Sequence, residues 1–479
     1  MKKYVLLLII IFTLISSQAL AWGGPENVLV VKNSNSQVSI NIADYYIQQR
    51  NIPAQNVLTI TCQDSSTSSA NERISETNYI NQIETPIYNY IQNNGLTNQI
   101  QYIVLTKGIP HRAITNGGWG DKTVDSLLMA KNIINPAMIG FSNSETGQSD
   151  TCYANRYWNS SKIFKHSEIG GYIVCRLDGY TQADAIALID RALGPQTAPY
   201  EVFLDLAPNK GIGDPSIHPY GLLLPNGSID WNFELSYDKY NGDMLKASQI
   251  LAGRPHLNVV IDQTQTFNAP SYALDMYCSW GSNHGTGYTL ELYNSIMFKN
   301  GSIAETAVSS SGRTFLPTTG GQSLIADFIS QGVAGAKGYA TEPFLLACAS
   351  PSVYMDLYSK GRNLAESMFA ASRLVGWKDV ILGDPLSCMK GFQPEKISGA
   401  KALQDGSLLT LEGMIVTAGT EKFNGFIYIT DPDRTSGIRV NVPLDFRPIT
   451  TNKIVNLRGT IKTENNQRYI DPIWIKAIN

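Results

Sequence analysis

NVLVVKNSNSQVSINIADYYIQQRNIPAQNVLTIT, residues 27–61, sets the fold class. Asn27 to Lys32 is a continuous apolar run, the mark of a strand covered on both faces. Ile40, Ala43, Tyr46 and Ile47 then recur at helical spacing between Ser36 and Arg50, and Ile52-Pro53 stops the element. Asn56 to Thr61 reads as a second strand, Glu76 to Asn94 as a second helix ended by Gly95, and Ile100 to Thr106 as a third strand. The order β-α-β-α-β predicts a doubly wound, largely parallel sheet with helices on both faces. No G-x-G-x-x-G follows the first strand, so a dinucleotide site is absent where it would belong and no cofactor is expected.

Upstream, Lys2 and Lys3 precede an apolar run from Val5 to Ile15 and an Ala19-Leu20-Ala21 site. Residues 1–21 therefore read as a secretory signal peptide, which places the mature chain in the periplasm, at the cell surface or outside the cell. The run is too short to span a bilayer, and no later stretch approaches the ~20 apolar residues a membrane helix needs. A net charge of −3 gives no reason to expect nucleic acid or an acidic membrane as partner. The six cysteines form no C-x-x-C pair, and neither a zinc site nor a thioredoxin-type motif is indicated.

Downstream, alternation resumes. Gly171 to Leu177 is a strand, and Thr181 with Asp184 forms a capping box for a helix bearing Ala185, Leu188, Ile189 and Leu193 on one face. Tyr200 to Leu206 and Leu257 to Ile261 are further strands, with a helix from Asp243 to Leu251 between them. Asn135 to Lys165 lacks periodicity and reads as a long excursion over the sheet.

The stretch from Ala273 to Phe315 draws the functional reading. A short apolar strand, Ala273 to Cys278, stops in a loop of Gly281, Ser282, Asn283, His284, Gly285 and Gly287. Ligands of open α/β sheets bind outside the carboxyl ends of strands, and glycines there let the backbone approach a ligand. The next edge, Ala304 to Ser311, ends in three serines followed by Gly312 and Arg313. A histidine at one strand end and a hydroxyl at the next form a candidate dyad, His284 with Ser310, with His284 expected on an exposed loop. Lys107, Asn283 and Arg313 are the candidate ligand-binding residues, and a metal is not expected. The alternative is that both loops are simply turns.

These residues also carry a resemblance. A strand ending near His284-Gly285, a later strand ending in small residues, GVAGAKGY (332–339) and LGDP (382–385) resemble the caspase and gingipain type of peptidase domain. GPENVLVV, IVLTKGIP, RLDGYTQADAIALIDRAL, SWGSN, GQSLIADFISQGVAGAKGYATEP and NLAESMFAASRLVGWKDVILGDPL together resemble an uncharacterised family of exported bacterial proteins related to that fold. The resemblance implies a His-Gly base and a cysteine nucleophile at the next strand end. His284-Gly285 matches the first, but the second position reads Val308-Ser309-Ser310-Ser311. A thiol is partly thiolate at neutral pH, whereas a serine hydroxyl needs a strong base and an oxyanion hole.

A composition shift near Gly391 to Gly399 divides a domain of residues 22–390 from one of 391–479. Five short strands, Ser407 to Thr417, Gly425 to Thr430, Gly437 to Val442, Lys453 to Lys462 and Arg468 to Ile475, resemble a small OB-like barrel with a core of Leu409, Leu411, Ile427, Ile429, Val440, Val455 and Ile461. Eleven basic and nine acidic residues from Gly391 onward make no basic groove, and Phe426, Tyr428 and Tyr469 are too few to demand base stacking. Asp431 and Asp433 read as turn residues rather than calcium ligands. Two function classes follow: an envelope protein that keeps the scaffold to bind a protein or envelope component, or a hydrolase using His284 with a serine of 309–311.

Overall fold

The computed structural model describes residues 23–115, 118, 120–142, 148–216, 237–442 and 448–478, so the signal-peptide reading lies outside the described residues. Ten strands form one sheet: β1 (Val28–Asn33), β2 (Val57–Ile60), β3 (Tyr102–Thr106), β4 (Ile173–Leu177), β5 (Tyr200–Asp205), β6 (Leu257–Asp262), β7 (Leu274–Ser279), β8 (Phe298–Thr306), β9 (Gly335–Tyr339) and β10 (Asp379–Gly383). Their order is β6-β5-β7-β8-β9-β10-β4-β3-β1-β2. The sheet is mostly parallel, as expected, and it holds two blocks with the same winding. In β2-β1-β3-β4 and in β6-β5-β7-β8 the second strand lies outside the first, and the third and fourth follow inward. Between the blocks stands β10, antiparallel to β9 and joined to β4 by the single pair Leu382↔Arg176.

Helices cover both faces because successive strand residues point to opposite sides. Tyr277 packs its ring on Phe328 of the helix Ile325–Gln331, with centroids 5.5 Å apart, while its neighbour Cys278 meets the Tyr240 hydroxyl of the helix Asp238–Ala252. Val28 to Val31 are fully buried, which accounts for the uninterrupted apolar run. Thr181 caps its helix as read, forming its box with Asp184, and Ser36 caps the first helix by accepting from Ser39 N–H.

Two local expectations are corrected. Glu76 to Asn94 is not one regular helix: a turn at Glu76–Tyr79 passes through a π-helical stretch, Ile80–Glu84, into the helix Thr85–Asn93. Pro86 has no N–H to return to the carbonyl four residues back, and the widened turn absorbs it. The segment from Asn135 is no bare excursion either. Met138–Ser142 and Ser149–Ala154 pair antiparallel and continue onto Leu374–Val375, closing a small core of Ile139, Cys152 and Trp377.

At the C-terminus a separate five-stranded sheet closes into a barrel: β11 (Leu408–Ala418), β12 (Phe426–Thr430), β13 (Gly437–Asn441), β14 (Ile454–Glu464) and β15 (Gln467–Ile478). All seven residues named for its core lie in one buried cluster, distinct from that of the large sheet. The barrel meets the sheet domain near the amino ends of β5 and β6, where the Tyr200 hydroxyl donates to Gly391 O and Leu408 N–H donates to His256 Nδ1. No helix among the described residues is long and apolar enough to cross a membrane.

Candidate functional site at the carboxyl rim

Contacts bring the carboxyl ends of both blocks to one rim. Lys107, just past β3, donates its backbone N–H to Leu177 O, and its Nζ donates to Gly179 O (2.8 Å) and to Phe315 O (3.0 Å). Gly312 N–H donates to Tyr339 O at the end of β9. Lys107 is itself buried and also pairs with Asp178 at 3.3 Å. Its charge ties the chain leaving β8 to the first block.

His284 follows a 3-10 turn, Gly281–Asn283, that leaves the end of β7. Gly281 has φ +50, and a Cβ there would stand 2.9 Å from both Val308 Cγ2 and Ser323 Oγ, so the turn seats tightly on the next strand end. The expectation of an exposed histidine is corrected: the ring is fully buried, edge-on to Phe267 at 5.7 Å. Its Nε2 lies 3.0 Å from Leu206 O and 3.8 Å from Asp205 Oδ1. A carbonyl only accepts, so Nε2 donates to Leu206 O; Nδ1 makes no hydrogen bond among the described residues, and the Thr286 carbonyl also faces the ring. Burial lowers the pKa of His284, and the facing carbonyls oppose that shift without reversing it.

Asp205 ends β5 and stands beside Asp262, its register partner at the end of β6. Burial first, then the Asp262 charge, raises the Asp205 carboxyl to about 8, against a smaller opposing pull from the Asn268 backbone N–H. Burial works against the charge of Asp262 too, but hydrogen bonds from Thr264 and Asn268 prevail and hold it below the usual carboxylate range. The histidine is thus flanked by an acid that favours its neutral form at pH 7.

The serines are committed elsewhere. Ser310 Oγ donates to Gln322 Oε1 at 2.6 Å and Ser309 Oγ to the same oxygen at 3.2 Å, and Ser311 is buried against Tyr339 N–H. Among the described residues no hydrogen bond joins His284 to any of the three. Gln322 Nε2 in turn donates to Asn283 Oδ1, so Asn283 and Ser310 are brought together through a residue the sequence did not single out. Arg313 clamps the same turn, donating to Gln322 O, Ser310 O and Gly320 O.

Beside this turn lies a cavity of about 230 Å³ lined by Trp280, Asn283, Ala307, Ser309, Phe344 and Cys348, among others. Glu305, near the end of β8 and two residues before Ala307, is also buried and pushed up to about 8. It accepts from the Tyr339 hydroxyl and from Ala349 N–H. No thiolate serves the rim: burial drives the Cys278 and Cys348 thiols well above their ordinary range, and all six cysteines are free. No cluster of three metal-ligating side chains occurs among the described residues. Asp205, Glu305 and Gln322 escaped sequence reading because a single acid inside an apolar strand, or a glutamine in a TTGGQS loop, carries no local signal.

No family model matches the chain, and no curated protein matches it. Among solved structures, one described as "Structure of Protease" is similar over 95% of this chain and 98% of its own, at 10% identity and a TM-score of 0.41. The hypothetical protein ygiW from E. coli is similar over 19% of this chain and all of its own length, at 22% identity and a TM-score of 0.15. Likenesses of this strength assign no family.

Proposed function

We propose that the chain is an exported, non-catalytic relative of the caspase and gingipain type of scaffold, carrying an OB-like barrel, and that its carboxyl rim binds a protein or envelope component. The observation that carries this reading is the hydrogen-bonding of the serines. Both available hydroxyls give their protons to Gln322 Oε1, and the base beside them is turned to Leu206 O. A serine nucleophile must surrender its proton to a base in contact with it, and here that contact is missing. The strand end that would carry the scaffold's cysteine reads Val308-Ser309-Ser310-Ser311 and offers no thiol.

One observation supports the hydrolase alternative: His284 Nδ1 is unpartnered and Asp205 stands behind the ring, as an orienting acid stands behind a base. Fluorophosphonate and thiol-directed probes on the purified full-length protein separate the two. No labelling above that of His284→Ala is expected. Labelling of Ser309, Ser310 or Ser311 that disappears in His284→Ala overturns the binding reading and installs the hydrolase.

A further inference from the structure

At the edge of the sheet opposite the rim, four neighbouring parallel strands begin with a row of polar side chains: Asn258 of β6, Glu201 of β5, Asp275 of β7 and Lys299 of β8, each the second residue of its strand. Asn258 is the register partner of Glu201. Phe203 pairs with Tyr277 and stacks on it at 6.4 Å, so Glu201 and Asp275, two residues earlier on each strand, share that face. Strands run ~4.8 Å apart, which sets the two carboxylates side by side.

Hydrogen bonds fix the row without satisfying it. Asn258 Nδ2 donates to Glu201 Oε1 (3.0 Å), while Glu201 N–H (2.7 Å) and Lys299 Nζ (3.0 Å) both donate to Asp275 Oδ2. Glu201 Oε2 and Asp275 Oδ1 receive no hydrogen bond among the described residues. Lys299 pairs with Asp275, and no cation among the described residues pairs with Glu201. Burial raises the Asp275 pKa; its two hydrogen bonds and the Lys299 charge oppose the rise, and the Glu201 charge adds to it. Like charges side by side on neighbouring strands repel, so one further positive charge is what the row lacks.

Both carboxylates line a cavity of about 610 Å³, walled by Pro195, Ala198, Pro199 and Phe298. That size falls among small-molecule sites, which run ~300–1,000 Å³. An ammonium or guanidinium group brings several N–H donors to carboxylate oxygens, and an apolar stem behind it can lie on the proline and phenylalanine wall. An anion would meet both acids. Among the described residues, no third metal-ligating side chain joins the two acids, which disfavours a metal ion.

We propose that this cavity binds a small organic cation, a primary ammonium or guanidinium group carried on an apolar stem, with Glu201 and Asp275 as its counter-charges. It lies at the strand ends away from the rim and stands independently of the rim's function. Isothermal titration calorimetry of the full-length protein with cadaverine and with agmatine tests it, with glutarate and calcium as comparison probes. Saturable binding of at least one of the two amines is expected, weakening as salt is raised. Glu201→Gln, at a half-buried position, should weaken it about tenfold or more, as loss of a charge-assisted hydrogen bond does, with the circular dichroism unchanged. If Glu201→Gln loses the folded spectrum, Thr197→Lys on the exposed loop that lines the cavity makes the same test by placing a competing cation there. Failure to bind either amine, a preference for glutarate, displacement of the amine by stoichiometric calcium, or affinity indifferent to these substitutions overturns the proposal.

Discussion

Replacing His284 by alanine should destabilise the sheet domain, and the structure sets the size of the effect. The ring is fully buried against Phe267 and holds the Leu206 carbonyl. Truncating a buried aromatic to alanine costs roughly 3–5 kcal/mol, less for the smaller and more polar imidazole. Leaving the Leu206 carbonyl without its donor adds about 1 kcal/mol or more. Against this, removal of a polar ring with an unpartnered Nδ1 recovers part of its desolvation cost. The net is about 3 kcal/mol. At about 2.1 cal/mol/K of unfolding entropy per residue, a domain of roughly 370 residues gains about 0.8 kcal/mol/K, so its midpoint should fall by about 4 °C. Thermal unfolding followed by circular dichroism at pH 7 measures it, with His284→Gln expected to lose less. An unchanged or raised midpoint in His284→Ala would refute the buried, hydrogen-bonded ring and return the residue to an exposed loop.

Three further outcomes are expected. Asp205 and Glu305 have folded pKa values raised to about 8, so the stability they contribute is fully present below their unfolded pKa near 4 and is lost as pH rises toward 8. Asp205→Asn should therefore be more stable than the parent at pH 9 and show a flatter profile between pH 5 and 9, and denaturant midpoints that fall in parallel for both proteins would contradict this. Gly281→Ala places a methyl in a left-handed turn, 2.9 Å from Val308 Cγ2, and should cost about 1–3 kcal/mol in the same melts. A fragment beginning at Gly391 should show a β-type spectrum and a cooperative melt, because its buried cluster is its own; a fragment that stays unfolded shows that the Tyr200 and His256 contacts are required.

The winding of the sheet was legible because it is written in local chemistry. Val28 to Val31 is apolar without interruption since both faces of β1 are covered, and Thr181 with Asp184 announces its helix within four residues. The barrel was legible for the opposite reason: its strands alternate, with Ile427 and Ile429 inside and Tyr428 outside. The insertion of β10 beside β9 was not legible. Asp379–Gly383 is too short to declare its direction, which depends on pairing with Gly335–Tyr339.

The rim separates residue type from role. Ser310 and His284 carry the right groups for a dyad, and each spends its hydrogen bond on a partner that only tertiary structure supplies. For His284 that partner lies 78 positions upstream, at the end of β5. For Ser310 it is Gln322, across a turn held by Arg313. A strand end has few directions in which to place a side chain, and the neighbouring strand decides among them. The same Nε2 contact that orients His284 also buries it: a ring held by Leu206 O and packed on Phe267 keeps one fixed face toward Asp205, and cannot swing to Ser310 without abandoning a buried carbonyl. Leaving that buried acceptor unsatisfied costs about 1–3 kcal/mol.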